Sequence, residues 1–164
     1  MSYLLRVLAA AAAMARPANT TQYAVGDLVA NNATAGSVAP IEFDKAARFP
    51  GAEGKITGVR LSKSNVSLTA AAFRVHLFTA APSVGGGDNA AFAPTNGIAK
   101  GYIGSVDVTL DKALGDGAFG RASAALLFDL DKPNAKLYAL IEARDTYTPA
   151  SAETFLVTLE LERS

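Results

Sequence analysis

The stretch ETFLVTLELE, residues 153–162, decides the fold. Phe155, Val157, Leu159 and Leu161 alternate with Thr154, Thr158, Glu160 and Glu162. A period of two puts the apolar set on one face of an extended chain and the polar set on the other. A helix would scatter both sets around its circumference. The segment reads as a strand with one face in a core and one in water.

The same period recurs upstream. In FRVHLFT (73–79), Phe73, Val75 and Leu77 share one face, and Arg74, His76 and Phe78 the other. GYIGSVDVTL (101–110) groups Tyr102, Val106, Val108 and Leu110 against Ser105, Asp107 and Thr109. KLYALIEA (136–143) is apolar on both faces, as expected of a central strand. Weaker strands are QYAVGDLVA (22–30), APIEF (39–43), KITGVRLSK (55–63) and SAALLFD (123–129). In KITGVRLSK the apolar parity shifts between Ile56 and Val59, and Gly58 at the shift suggests a bulge. Clusters such as FPGAEG, APSVGGGDN, LGDG and DKPN mark the turns. Short strands punctuated in this way, with no convincing internal helix, predict an all-β, antiparallel, jelly-roll-like β-sandwich.

The chain of 164 residues suits one domain, expected over residues 19–164, with residues 1–18 as an N-terminal arm. Met1 to Ala18 reads MSYLLRVLAAAAAMARPA. The apolar run and its small-residue end resemble a secretory signal, but Arg6 interrupts the run and no basic side chain precedes Tyr3. Alanine favours a helix, and Pro17 would stop it near Ala15 or Arg16. A short apolar helix needs a surface to lie on. The preferred expectation is a helix or arm docked on its own domain or on a neighbour, dispensable for folding. Such a helix is too short to cross a bilayer, so no membrane partner is expected.

Charge and composition narrow the function. Lys plus Arg and Asp plus Glu number 15 each, which argues against a nucleic-acid partner. There is no cysteine, so disulfides, thiolate nucleophiles and Cys-ligated zinc are excluded. With one histidine, a transition-metal site would depend on carboxylates, and no cofactor is expected. His76 lacks an identifiable partner in sequence and reads as a solvated or interface histidine, not a general base. Asp107, Asp129, Asp131, Glu142 and Glu160 could in principle supply a glycosidase pair, but nothing fixes their separation. They read as solvent-face carboxylates, with Asp129 and Asp131 at a turn. GGGDN (85–89) is followed by no Lys-Ser or Lys-Thr, so it is a flexible tip and not a phosphate loop. No enzyme is expected.

The segment Ala80–Lys100 is long for a structureless loop, and such loops often carry function. Phe92 within it is placed to anchor the loop on its own domain or on a neighbour.

The order of segments supplies a resemblance. RPANTTQYAVGDLVANN (16–32), GKITGVRLSKS (54–64), AAFRVHLFTAAPSVGGGDNAAFAP (71–94), KGYIGSVDV (100–108) and LYALIEARDTYTPASAETFLVTLELE (137–162) follow one another as in small all-β virion proteins of tailed bacteriophages. The chain resembles that group over nearly all of residues 16–162. The resemblance implies a virion component, a capsid decoration or cement protein on the capsid surface, made in the host cytoplasm. It implies the major capsid protein and further copies of the chain, a trimer among the options, as partners. It supplies no catalytic residue. The expected contacts are Leu4, Leu5, Val7, Leu8, Met14 and Arg16 of the N-terminal segment and Phe92 of the long loop. Two other classes stand beside this one: a tail, collar or head-fibre component, and a secreted jelly-roll carbohydrate-binding module. The absence of Trp weakens the last, because sugar-binding faces use exposed aromatic rings.

Overall fold

A computed structural model describes residues 6–164, and Leu4 and Leu5 lie outside that range. The strands are β1 (Arg6–Ala15), β2 (Leu28–Val29), β3 (Ile41–Phe43), β4 (Glu53–Lys63), β5 (Ala72–Phe78), β6 (Tyr102–Thr109), β7 (Lys112–Ala113), β8 (Ala118–Asp129), β9 (Leu137–Ala143) and β10 (Thr154–Arg163). One sheet runs β1-β10-β4-β8-β7 and the other β2-β9-β5-β6, with β3 continuing the edge of β9 beyond β2. Every strand pairing is antiparallel.

The pairings are nested. β1 pairs with β10, β2 and β3 with β9, β4 with β8, and β5 with β6. This is a long hairpin rolled up so that alternate pairs fall in opposite sheets, which is the jelly roll expected from the sequence. The segment Ala80–Lys100 lies at the turn of that hairpin, between β5 and β6.

The alternating residues meet where anticipated. Phe73, Val75 and Leu77 of β5 and Phe155, Val157, Leu159 and Leu161 of β10 are fully buried in the shared core. Phe73 bridges the sheets, with Phe155 and Tyr147 packed edge-on at 5.3 Å. β9 is central, flanked by β5 and by β2 and β3. The ladder of β4 with β8 slips between Ile56 and Gly58. That bulge lets Ile56 and Val59, three residues apart, both enter the core. On the outer face nearby, Glu160 accepts hydrogen bonds from Arg60 (2.7 Å) and Arg121 (2.6 and 2.9 Å). The guanidinium of Arg121, then that of Arg60, holds the Glu160 carboxyl down at about 2.

Three expectations change. QYAVGDLVA is a strand only at Leu28–Val29, because Gly26 takes a positive φ of 93° and turns the chain. Tyr102 does not share the face of Val106 and Val108. A register slip at Leu77/Phe78, opposite Gly104 with φ 144°, moves it to the outer face. The N-terminal segment is not a helix. Residues 6–15 pair in register with β10, from Arg6↔Arg163 to Ala15↔Thr154. Ala10 and Met14 point into the core and Leu8 and Ala12 pack against it, while Val7, Ala9, Ala11, Ala13 and Ala15 face out. Alanine's helix preference amounts to tenths of a kcal/mol per residue. A full ladder with apolar burial outweighs it.

β1 covers the flank of β10 and adds Ala10 and Met14 to the core, so the segment contributes to the stability of the fold. Removing residues 2–15, which spares Arg16 and its bond to Asp88, is expected to cost about 2–4 kcal/mol from the lost burial alone. Urea denaturation of the truncated chain measures it, and an unchanged midpoint would contradict the role given to β1.

Candidate functional site

The loop Ala80–Lys100 folds back over the outer face of the sheet formed by β2, β9, β5 and β6. Its middle is not a free tip. Asp88 N–H donates to Asn32 O (2.7 Å), Asn89 N–H to Leu28 O (2.9 Å) and Phe92 N–H to Gly26 O (2.8 Å). Gly87 is needed for close approach and not for flexibility, since a Cβ there would sit 2.0 Å from the Ala33 carbonyl oxygen.

Asp88 is the anchor. Its carboxylate accepts from Arg16 (2.9 Å), from the Tyr23 hydroxyl (2.6 Å) and from the Ala30 N–H (2.9 Å). The Arg16 Nε also donates to the Tyr23 hydroxyl. Arg16 and Asp88 side chains are essentially inaccessible to water. Burial, with the Asp88 carboxylate next to it, pushes the Tyr23 phenol far above its ordinary value. Two segments singled out in the sequence, the N-terminal run and the long loop, are thus joined by one buried ion pair.

Beyond Asp88 the loop reaches His76. Phe92 stacks on the imidazole with centroids 4.1 Å apart and planes at 17°. His76 Nε2 lies 2.6 Å from Glu142 Oε2, and Nδ1 lies 3.0 Å from the Tyr102 hydroxyl. Arg144 donates to the other Glu142 oxygen at 2.8 Å. Arg74 forms a two-pronged pair with Asp107 at 2.6 and 3.0 Å, which holds the Asp107 carboxyl below its usual range. Burial lowers the His76 pKa, and the bond to Glu142 opposes that shift. Both ring nitrogens are engaged, by Glu142 and Tyr102, and one ring face is covered by Phe92. Periodicity placed His76 on its face, but only the fold shows Glu142, two strand positions away, as its partner.

Next to this closed polar group is an open apolar cleft of about 260 Å³, lined by His76, Phe78, Phe92, Pro94, Ile98 and Tyr102. Ile98 on its rim is 85% exposed and Tyr102 40%. No sequence signal marked Ile98. A larger groove of about 430 Å³ in the other sheet is lined by charges of both signs, Glu53, Lys55, Asp129 and Glu162, around Leu127. Among the described residues no three His, Asp or Glu side chains gather in a way that would hold a metal ion.

The remaining residues fall in two groups. Met14 and Arg16 are buried within the chain, where they fasten β1 and the loop to the body. Val7 is exposed, and Leu8 and Phe92 are half-buried. Asp107 and Glu142 lie on the strands either side of β5, both opposite Arg74, and they and Glu160 are each taken up by arginines or His76; the main-chain carbonyl of Asp131 closes a turn by accepting from Asn134 N–H.

No family model matches the chain, and no curated protein matches it significantly. Solved structures that match the chain at a low level include a chain of the cyanophage Pam1 capsid asymmetric unit, at 12% identity and a TM-score of 0.36, covering 99% of this chain and 88% of that one. A capsid chain of Helicobacter pylori bacteriophage KHP30 has 10% identity and a TM-score of 0.35, covering 98% and 94%. The mannan-recognising carbohydrate-binding module TmCBM27 has 12% identity and a TM-score of 0.35, covering 97% and 99%.

Two outcomes follow. In NMR titration the single histidine should titrate below about 6.5, and Phe92→Ala should move it back toward that value. A histidine held low in the folded state contributes stability in full above about pH 6.5 and loses it as the pH falls. Wild-type His76 titrating above 6.5 would refute the covered environment. Asp88→Ala leaves the Arg16 charge buried alone and should cost about 3–5 kcal/mol in denaturant unfolding.

Proposed function

We propose that this protein is a structural component of a tailed-phage head, binding the capsid shell and reinforcing it as a decoration or cement protein. The observation that carries this reading is the apolar cleft at the Phe92–Ile98–Tyr102 rim. It is presented by a loop that is itself bolted down through Asp88. A pre-ordered apolar surface binds without ordering a long loop, so less of the contact energy is lost. The polar residues beneath are paired with one another, which leaves the rim of the cleft to apolar contact. The resemblance of residues 16–162 to phage virion proteins points the same way. Phe92 and Ile98 would meet the shell, and Val7 and Leu8 on β1 would serve contacts with neighbouring subunits.

Purified protein added to heads that lack it should bind in copies set by the surface lattice. Ile98→Asp should weaken binding about tenfold or more, the loss expected for a charge in an apolar contact, with no change in thermal stability. Sedimentation of heads with labelled protein reads both. Absence of binding to any head form, together with binding to soluble glycans, would overturn the reading in favour of a carbohydrate-binding module.

A further inference from the structure

We infer that the free edge of β1 is a self-pairing strand, which joins two copies of this chain about a two-fold axis centred on Ala11. The inference stands on the main-chain geometry of β1 and does not depend on the virion reading.

The Arg16 N–H donates to Glu153 O at 2.9 Å, continuing the β1–β10 ladder by one pair beyond Ala15↔Thr154. That bond sets the phase of the ladder. In an antiparallel pair, alternate residues exchange bonds with the partner and those between turn away. The even-numbered residues of β1 therefore bond to β10. Val7, Ala9, Ala11, Ala13 and Ala15 direct N–H and C=O outward, and no hydrogen bond among the described residues reaches those groups. All five residues are exposed.

The other sheet edges are defended. β7 spans only Lys112–Ala113. β6 carries the Arg74–Asp107 pair and a register slip opposite Gly104. β2 and β3 are short and separated by a turn. Lysines, bulges and brevity are the devices that keep sheet edges from joining. From Val7 to Ala15, β1 has no charge, proline or register slip.

The sequence of β1 fits a second copy of itself. An antiparallel partner must put same-face residues opposite one another, so a two-fold axis has to pass through a residue and not between two. With the axis at Ala11, Ala9 meets Ala13, Val7 meets Ala15 on the outer side, and Leu8 meets Met14 on the core side. The half-buried Leu8 gains an apolar neighbour. Arg6 falls opposite Arg16, whose charge Asp88 already neutralises. A net charge of zero adds no general repulsion between copies. The two β1-β10-β4-β8-β7 sheets then run as one, with Thr158, Ala11 and their mates in a single row across the axis.

Sedimentation equilibrium of the full chain should show a species of twice 16.9 kDa that grows with concentration. Ala11→Pro removes an N–H that faces away from β10. It should weaken association at least tenfold while the melting temperature at low concentration stays unchanged. Because the chain has no cysteine, Ala11→Cys gives a second test that leaves the backbone intact. On mild oxidation it should form a disulfide-linked dimer, whereas Ala9→Cys, placed opposite Ala13, should not. A wild-type monomer at all concentrations, or amides of Val7, Ala9, Ala11, Ala13 and Ala15 protected from hydrogen exchange only when capsid shells are added, would overturn the proposal. So would equal cross-linking at residues 9 and 11.

Discussion

The Asp88 carboxylate is the constraint on which the surface of this molecule depends. A charge removed from water is costly unless its attraction to a partner and its hydrogen bonds are recovered together. Here Arg16, Tyr23 and the Ala30 N–H supply them. Those donors come from the end of β1, the irregular run before β2, and the chain just after β2. The loop between β5 and β6 is held at its middle, and the position of Phe92 over His76 follows from that hold. The apolar cleft follows in turn, because Phe92 forms one of its walls.

A second buried cation plays a comparable part within the chain. Lys63 Nζ donates to the carbonyls of Asn65 (2.7 Å) and Ser67 (2.6 Å), and lies 3.6 Å from Glu153 and 4.9 Å from the centre of the Tyr147 ring. Burial depresses the Lys63 pKa, with Glu153 opposing. Tyr147 donates to Glu153 at 2.7 Å and packs edge-on against Phe73. The segments around Asn65 and Tyr147 are thereby fixed to the core in the same manner as the Asp88 loop. The sandwich is fastened at its connections by charges that face inward.

Alternation made the architecture legible. Leu159, Phe73 and Ile141 sit in the core because a two-residue period leaves a strand no other way to bury them. The bulge at Gly58 was readable because it resets that period. The alanine run of β1 was not readable: identical small residues carry no period, so only the ladder with Leu161, Leu159 and Val157 reveals the strand. Tyr102 was misplaced because a slip at Gly104 has no signature beyond the glycine itself. Less of the candidate site could be read. His76 was conspicuous as the sole histidine, and Phe92 as the aromatic of a long loop. Their stacking joins residues from different parts of the chain, as does the contact of His76 with Glu142. Asp88 looked like part of a flexible glycine run, and its partners Arg16 and Tyr23 are more than sixty positions away.

Nesting of the strands also imposes an order of events during synthesis. β1 is the first described strand to leave the ribosome, yet its mate is the last. Until Thr154–Arg163 emerge, Leu8 and Met14 have nothing to cover them, and both edges of β1 stay open. Domains dominated by such distant pairings close slowly, and nascent apolar strands are prone to stray association. A near-featureless alanine strand is a mild hazard through that interval, because it offers few large side chains for an early wrong partner to grip.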